Sequence, residues 1–255
     1  MSLLFVSDLH LHPSRPRITR LFLEFLAGEA RTASHLYILG DLFEAWIGDD
    51  DPEPHYREVQ EALRELTRAG VRCSFVHGNR DFLVGARFCA RTGVELLPDR
   101  SIAEVGGQPA LLMHGDALCT DDRAYQRLRR VTASPVARRL MLALPLALRR
   151  RLAGWARQQS RAAQQDKPAA IMDVNPQAVA QALRGAGVTR LIHGHTHRPA
   201  IHRFTLDSQP AERIVLGDWY TQGSVLRIRD AGFELATLAL QPGVGSASSN
   251  SAASW

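Results

Sequence analysis

A chain of 255 residues with 45% hydrophobic content has room for one domain plus an elaboration, around a sizeable core. No run of 18 or more apolar residues occurs, which excludes a transmembrane helix; the apolar opening is too short for a signal peptide and reads as a buried strand. The net charge of +5 is uneven: residues 123–165 hold eleven Arg and no Lys, Asp or Glu, leaving 20 basic residues against 26 acidic ones elsewhere.

The first half alternates strand and helix signals. Residues 3–7 form a continuous apolar run, as expected of a strand covered on both faces. Residues 18–30 show helical spacing at Ile18, Leu21, Phe22, Phe25 and Leu26. Residues 36–39 are the next strand and 56–69 the next helix, stopped by Gly70. Strands follow at 72–77 and 110–114. Beyond the arginine-rich segment, 176–185 reads as helix and 189–193 as strand. The end changes character, with short strands at 200–206, 213–216, 224–228 and 233–240 between turn residues. The pattern predicts an α/β sandwich with an antiparallel or mixed second sheet, and a disordered Ser/Ala/Gly-rich tail over 243–255. Cys73, Cys89 and Cys119 lack a Cys-x-x-Cys spacing and read as reduced thiols of a cytosolic protein.

Five motifs fall where these strands end: Asp8-Leu9-His10, Gly40-Asp41, Gly78-Asn79-Arg80-Asp81, His114-Gly115-Asp116 and Gly194-His195-Thr196-His197. Loops beyond strand C-termini are where α/β proteins build their sites. In extended chain, residues i and i+2 project to one side, so Asp8 and His10 can share an ion, as can His195 and His197. Two carboxylates, one amide oxygen and four imidazoles, without thiolate, suit Mn²⁺, Fe²⁺, Zn²⁺ or Co²⁺. Seven ligands (Asp8, His10, Asp41, Asn79, His114, His195 and His197) exceed the needs of one ion, so two are expected, with Asp41 as the bridge. Two such ions can generate a hydroxide nucleophile at neutral pH and clamp a transferring phosphoryl group. Neither a Walker-type loop nor a serine elbow argues for another chemistry. Other polar residues have lesser expected roles. His12 reads as a surface or supporting residue, and His193 as either a site neighbour or a buried structural one. Trp46 should pack the loop after Asp41, 49–51 should be solvated, and Asp116 should orient His114.

Together the motifs resemble the calcineurin-like metallophosphoesterase superfamily over residues 4–197. The resemblance implies a double β-sheet sandwich flanked by helices and a dinuclear site. Asp8, His10, Asp41 and His197 would hold one ion, and Asp41, Asn79, His114 and His195 the other. Arg80 stands where much of the superfamily has a catalytic His. A permanent cation does not donate a proton readily, but it neutralises phosphoryl charge and suits a phosphate leaving group. Asp81 would orient neighbouring groups or cap the next helix.

The arginine-rich segment reads as short helices divided by Pro135 and Pro145. Arg123, Arg127 and Arg130 lie near one face, and Leu140, Met141, Leu144, Leu148 and Trp155 supply apolar surface. A basic amphipathic insertion favours an anionic lipid surface or a phosphate-headed lipid, and its few aromatics count against nucleic acid. The alternative is a helical pair with a solvated arginine face. A narrower resemblance gives the segment a task. Gly40-Asp41-Leu42-Phe43-Glu44-Ala45-Trp46-Ile47-Gly48-Asp49-Asp50, His114-Gly115-Asp116-Ala117-Leu118-Cys119-Thr120-Asp121-Asp122 and the flanking motifs are similar to the UDP-2,3-diacylglucosamine pyrophosphohydrolase family of lipid A biosynthesis, from about residue 3 to 230. That implies hydrolysis of a lipid-linked UDP-sugar to 2,3-diacylglucosamine 1-phosphate and UMP, by a metal-bridging hydroxide with Mn²⁺ as the usual ion, in a peripheral protein on the cytoplasmic face of the bacterial inner membrane. Asn79, Arg80, Asp81 and His195 would be catalytic. Asn79, Arg80, Asp122, Arg157, Ser160, Gln164, Lys167 and His195 would contact substrate, with Gln164 standing where Asn or Thr is expected. A metallophosphoesterase core over 1–120 and 168–242 would carry a basic helical cap over 121–167. No nucleic acid and no obligate protein partner are expected. The rivals are a general phosphodiesterase or nuclease on the same scaffold, and a non-catalytic binding module.

Overall fold

The computed structural model describes residues 2–165, 173–229 and 232–240, with the side chains of 159–165 outside that description. The predicted tail at 243–255 lies outside the described residues.

The first strand, β1 (Leu3–Val6), sets the layering. Successive strand side chains face opposite ways. Leu3 and Phe5 therefore enter a core between two sheets, while Leu4 and Val6 enter a second core beneath helices. That helical layer consists of α1 (Pro16–Ala27), α2 (Pro54–Arg68) and α3 (Ala86–Thr92). α1 starts with Pro16 and buries Ile18, Leu21, Phe22, Phe25 and Leu26, the residues whose spacing predicts it. Between these helices run β2 (His35–Leu39), β3 (Arg72–Val76) and β4 (Glu95–Leu97), parallel to β1 in sequence order.

The second sheet contains β5 (Ser101–Val105), β6 (Gln108–Leu112), β7 (Arg190–His193), β8 (Ala200–Leu206) and β9 (Gln209–Val215), in the order β5-β6-β7-β9-β8. Its central strands β6, β7 and β9 are parallel, and its edges antiparallel. Ala110 and Leu112 of β6 face the inter-sheet core. Leu111 and Met113 face α7 (Pro176–Ala186), whose start is capped by Asn175. Between β6 and α7 the chain makes α4 (Arg123–Thr132), α5 (Pro135–Ala143) and α6 (Leu146–Gln165), with Pro135 opening α5 and Pro145 preceding α6.

The second sheet is mixed, as expected, and the C-terminal strands divide between the two sheets. β10 (Gly223–Arg229) pairs antiparallel with β1, and β11 (Gly232–Leu238) pairs with β10, completing the first sheet in the order β11-β10-β1-β2-β3-β4. β10 is buried on both faces, with Val225 on the helix side and Leu226 and Ile228 in the inter-sheet core, so it needs an interior position. α3 and β4, of seven and three residues, are too short for a periodic signal, and β5 is a partly exposed edge strand without the continuous apolar run that marks β1.

The loop between β9 and β10 carries Trp219, fully buried, edge-on to Phe22 and Phe25 and donating its indole N–H to the Ser224 carbonyl. Trp219→Ala should cost about 3–5 kcal/mol in urea unfolding, as large aromatic truncations do. A loss below about 1 kcal/mol, the level of a surface change, would contradict this packing.

Candidate metal centre

Parallel strands put their C-terminal ends on one side, so the loops after β1, β2, β3, β6 and β7 converge. Convergence requires unusual backbone. Asp8, His10, Asp41, His195 and His197 all have positive φ, between 48° and 69°, a region rarely occupied outside glycine. The neighbouring glycines make room. A Cβ on Gly78 would lie 2.1 Å from Asp41 Oδ1, and one on Gly194 would lie 2.2 Å from Asp8 Oδ2. The loops are laced by main-chain bonds: Asp8 N–H to Gly40 O, His10 N–H to Asp41 O, Gly194 N–H to His114 O and Trp219 N–H to Asp8 O.

The side chains meet in two overlapping groups, Asp8/His10/His197 and Asp8/Asp41/His114, with donor atoms within 4.8 Å of one another. Asp41 Oδ2 lies between them, 3.8 Å from His10 Nε2 and 3.7 Å from His114 Nε2. His114 Nε2 is 3.0 Å from Asn79 Oδ1 and 3.2 Å from His195 Nδ1, so all seven sequence-predicted ligands adjoin. Asp8 Oδ1 is buried and makes no hydrogen bond, although His197 Nε2 is 3.3 Å away. A buried carboxylate oxygen without a donor is costly, and donors of this chemistry surrounding it fit divalent ions.

The charges bear this out as a balance of burial against contact. Burial alone would raise the Asp8 carboxyl, but contact with His197 and the nearby His114 and His10 holds it well below the usual carboxylate range. Burial pushes Asp41 up to about 7, with Asp81 and Asp8 adding to the rise. Burial lowers His114, yet the surrounding Asp41, Asp8 and Asp116 lift it to about 9. His195 is pushed down to about 4, first by burial and then by His114.

Other predicted residues stand as follows. Asp81, expected to be catalytic, is fully buried and spends its carboxylate on the backbone N–H groups of Gly78 (2.8 Å), Leu42 (2.7 Å) and Asp41 (3.3 Å). It clasps two ligand loops and does not cap α3. Asp49 does that, accepting from Gly85 and Phe88 N–H and from the Trp46 indole; Asp50 and Asp51 pair with Arg149 and Arg150, so 49–51 is not a solvated run. Asp116 does not orient His114, whose Nδ1 bonds Leu39 O at 2.9 Å; it accepts from the Tyr125 hydroxyl and Arg129 Nε. Asp122 accepts from Tyr125 N–H and caps α4. The half-buried Arg80 has no hydrogen-bond or ion-pair partner for its guanidinium among the described residues, and its charge acts on His10 and Asp41. Arg157, on α6, acts on His12 and Tyr56. The side chains of Ser160 and Gln164, and Lys167 altogether, lie outside the described residues.

Four neighbours escaped the sequence reading. Tyr125 stacks on His195 with ring centres 5.9 Å apart, and Tyr220 on His10 at 5.2 Å. Glu44 Oε2 lies 3.5 Å from His10 Nδ1, and Asp218 Oδ2 lies 3.6 Å from His197 Nδ1, each facing the far side of a ligand imidazole. Only Glu44, three residues after Asp41, sits near enough to a motif to have been flagged.

A double-sheet sandwich with a histidine–carboxylate cluster at its strand ends defines a metallophosphoesterase class of protein. The sequence model of the calcineurin-like phosphoesterases matches residues 1–199, and the chain belongs to that family. It is 51% identical over 235 residues to the UDP-2,3-diacylglucosamine hydrolase of Enterobacter sp. (strain 638), covering 92% of this chain and 98% of the relative. The enzyme of the same name from Escherichia coli (strain SE11) is 52% identical over the same shares of the two chains. Among solved structures, a novel archaeal phosphodiesterase aligns over 93% of this chain and 100% of its own, with a TM-score of 0.48 and 12% identity.

Because a metal needs neutral imidazole and ionised carboxylate, metal entry must displace the proton that Asp41, Asp8 and Asp116 hold on His114 up to about 9. Mn²⁺ affinity should therefore rise with pH between 6 and 9, by about tenfold per pH unit for each proton displaced. Calorimetry in buffers of different ionisation enthalpy should show proton release; affinity independent of pH would contradict the arrangement. Asp81→Asn turns one acceptor into a donor facing N–H groups. It should destabilise the chain by about 1–3 kcal/mol, read by thermal unfolding.

Proposed function

We propose that this chain hydrolyses the pyrophosphate bond of UDP-2,3-diacylglucosamine to 2,3-diacylglucosamine 1-phosphate and UMP, working at a membrane surface with two divalent ions, Mn²⁺ by preference. Asp8, His10, Asp41 and His197 would hold one ion, and Asp41, Asn79, His114 and His195 the other. When bound, such ions supply a water nucleophile at neutral pH and neutralise charge on the phosphoryl oxygens. The chain's own residues do the rest. Asn79 and His195 orient the phosphate beside the cluster. Arg80 adds a fixed positive charge where negative charge develops. A phosphate leaving group needs little protonation, so an arginine serves where an alkoxide leaving group would need an acid.

The observation that carries the reading is the juxtaposition of Arg80, whose guanidinium has no partner among the described residues, and the histidine–carboxylate cluster with an amphiphilic helical cap. α4 and α5 bury no residue, and Leu128, Val131, Val136, Leu140 and Trp155 are each more than half exposed among arginines. Such a surface suits acyl chains and anionic headgroups. Met141 is half-buried against the helical core, and Leu144 and Leu146 are half-buried as well. In this reading, Asp122, Arg157, Ser160, Gln164 and Lys167 take the sugar and phosphate head. No helix among the described residues is long and apolar enough to cross a membrane.

With Mn²⁺ and the diacylated UDP-sugar, the purified chain should release UMP. Arg80→Ala should lower kcat about 100-fold or more with metal content unchanged, the scale of a lost transition-state charge contact. An unaltered kcat would sink the Arg80 role. Steeply salt-dependent hydrolysis of nucleic acid, with no UMP from the lipid substrate, would identify a nuclease instead.

A further inference from the structure

The cap has to be held in register with the metal loops, yet no residue of α4 or α5 is fully buried. Its attachment at the start of α6 is unusually complete. Arg149, only 6% exposed, donates Nε to the Leu144 carbonyl (3.0 Å) and Nη1 to the Ile47 carbonyl (2.5 Å). The two Nη atoms also grip both oxygens of Asp50, at 2.8 and 2.5 Å. Gly48 makes room for the fork: its φ is +136°, and a Cβ there would lie 2.3 Å from Arg149 Nη1 and 3.1 Å from Leu142. Next to it, Arg150 pairs with the largely buried Asp51 at 2.7 Å.

The loop so gripped is the one that begins at Asp41. Its far end is fixed in turn, since Asp49 holds the start of α3 and Trp46 N–H bonds the Arg80 carbonyl. Arg149 is thus joined by short, directional bonds to a segment tied at one end to a ligand and in its middle to Arg80. On the other side, Arg149 opens the helix that bears Arg157, eight residues and about 12 Å further along the axis.

We propose that Arg149 is a positioning residue. Its forked grip on Asp50 and Ile47 sets the angle of α6 against the metal-bearing loop, so that a substrate head held by the cap meets the cluster in line. This rests on the cap reading of the proposed function. A lysine could neutralise Asp50, but its three donors on a single nitrogen cannot reproduce all four bonds to Leu144, Ile47 and Asp50 in this planar fork.

The test uses the full chain with Mn²⁺ and three variants: Arg149→Lys, Arg149→Ala and Asp50→Asn. The last changes a half-exposed side chain without altering its shape, so it should fold even if a buried arginine is needed for yield. Hydrogen–deuterium exchange should speed up in α5 and α6 and stay unchanged in β1, β2 and β7. Turnover of the diacylated UDP-sugar should fall through kcat, by about 100-fold for Arg149→Ala, as a displacement of about 1 Å can produce. Metal content should not change. Combining Arg149→Ala with Asp50→Asn should add little to the worse single variant. Unchanged exchange in the cap, or a loss of bound metal matching the loss of turnover, would overturn the proposal. If the parent chain released no UMP, the proposed substrate would fail on its own, and the exchange pattern would still decide whether Arg149 holds the cap.

Discussion

The structure depends on a backbone constraint: five metal-ligand candidates, Asp8, His10, Asp41, His195 and His197, sit in the left-handed region. Each such residue costs on the order of 1–3 kcal/mol and persists only where its surroundings over-determine it. Here they do. Asp81 accepts three amides from the two loops that carry Asp41 and Asn79, and Asp8 Oδ2 accepts from His195 N–H at 2.8 Å. One strand-end carboxylate thereby fixes the loop of another sheet. The result is a set of donor atoms held together by main-chain contacts, a form of preorganisation that removes a conformational cost from binding.

Two sheets are needed for this geometry. β1, β2 and β3 supply Asp8, His10, Asp41 and Asn79 from one sheet; β6 and β7 supply His114, His195 and His197 from the other. The inter-sheet core of Phe5, Leu39, Leu112, Ile192 and Leu226 sets their separation. The cap is different in kind. It is attached through polar contacts at Asp116, Asp50 and Asp51, while much of its apolar surface faces outward. A buried centre thus stands beside a helical segment joined to it by polar contacts, with Leu128, Val136, Leu140 and Trp155 facing outward.

Much of this was legible in the residues. The apolar run of β1 and the spacing of Ile18, Leu21, Phe22 and Phe25 carry strong periodic signals, and the ligand motifs announce themselves because a metal tolerates few residue types. What stayed hidden has physical causes. α3 and β4 are too short for periodicity to register. The place of β10 beside β1 is a long-range pairing, and nothing local in Val225, Leu226 and Ile228 names the partner strand. Asp218 and Tyr220 lie far in sequence from the imidazoles they support. The acids at 49–51 look solvated in isolation because their partners Gly85, Arg149 and Arg150 come from other elements. Asp81 looked chemical because it adjoins Asn79 and Arg80; its side chain turns inward to the backbone.

If the strand ends form one centre for two ions with Asp41 between them, the number of ions bound decides the matter. Equilibrium dialysis of the metal-stripped chain against Mn²⁺, with metal counted per chain, should saturate at two ions. Saturation at one ion, or failure to retain any, would contradict the shared centre.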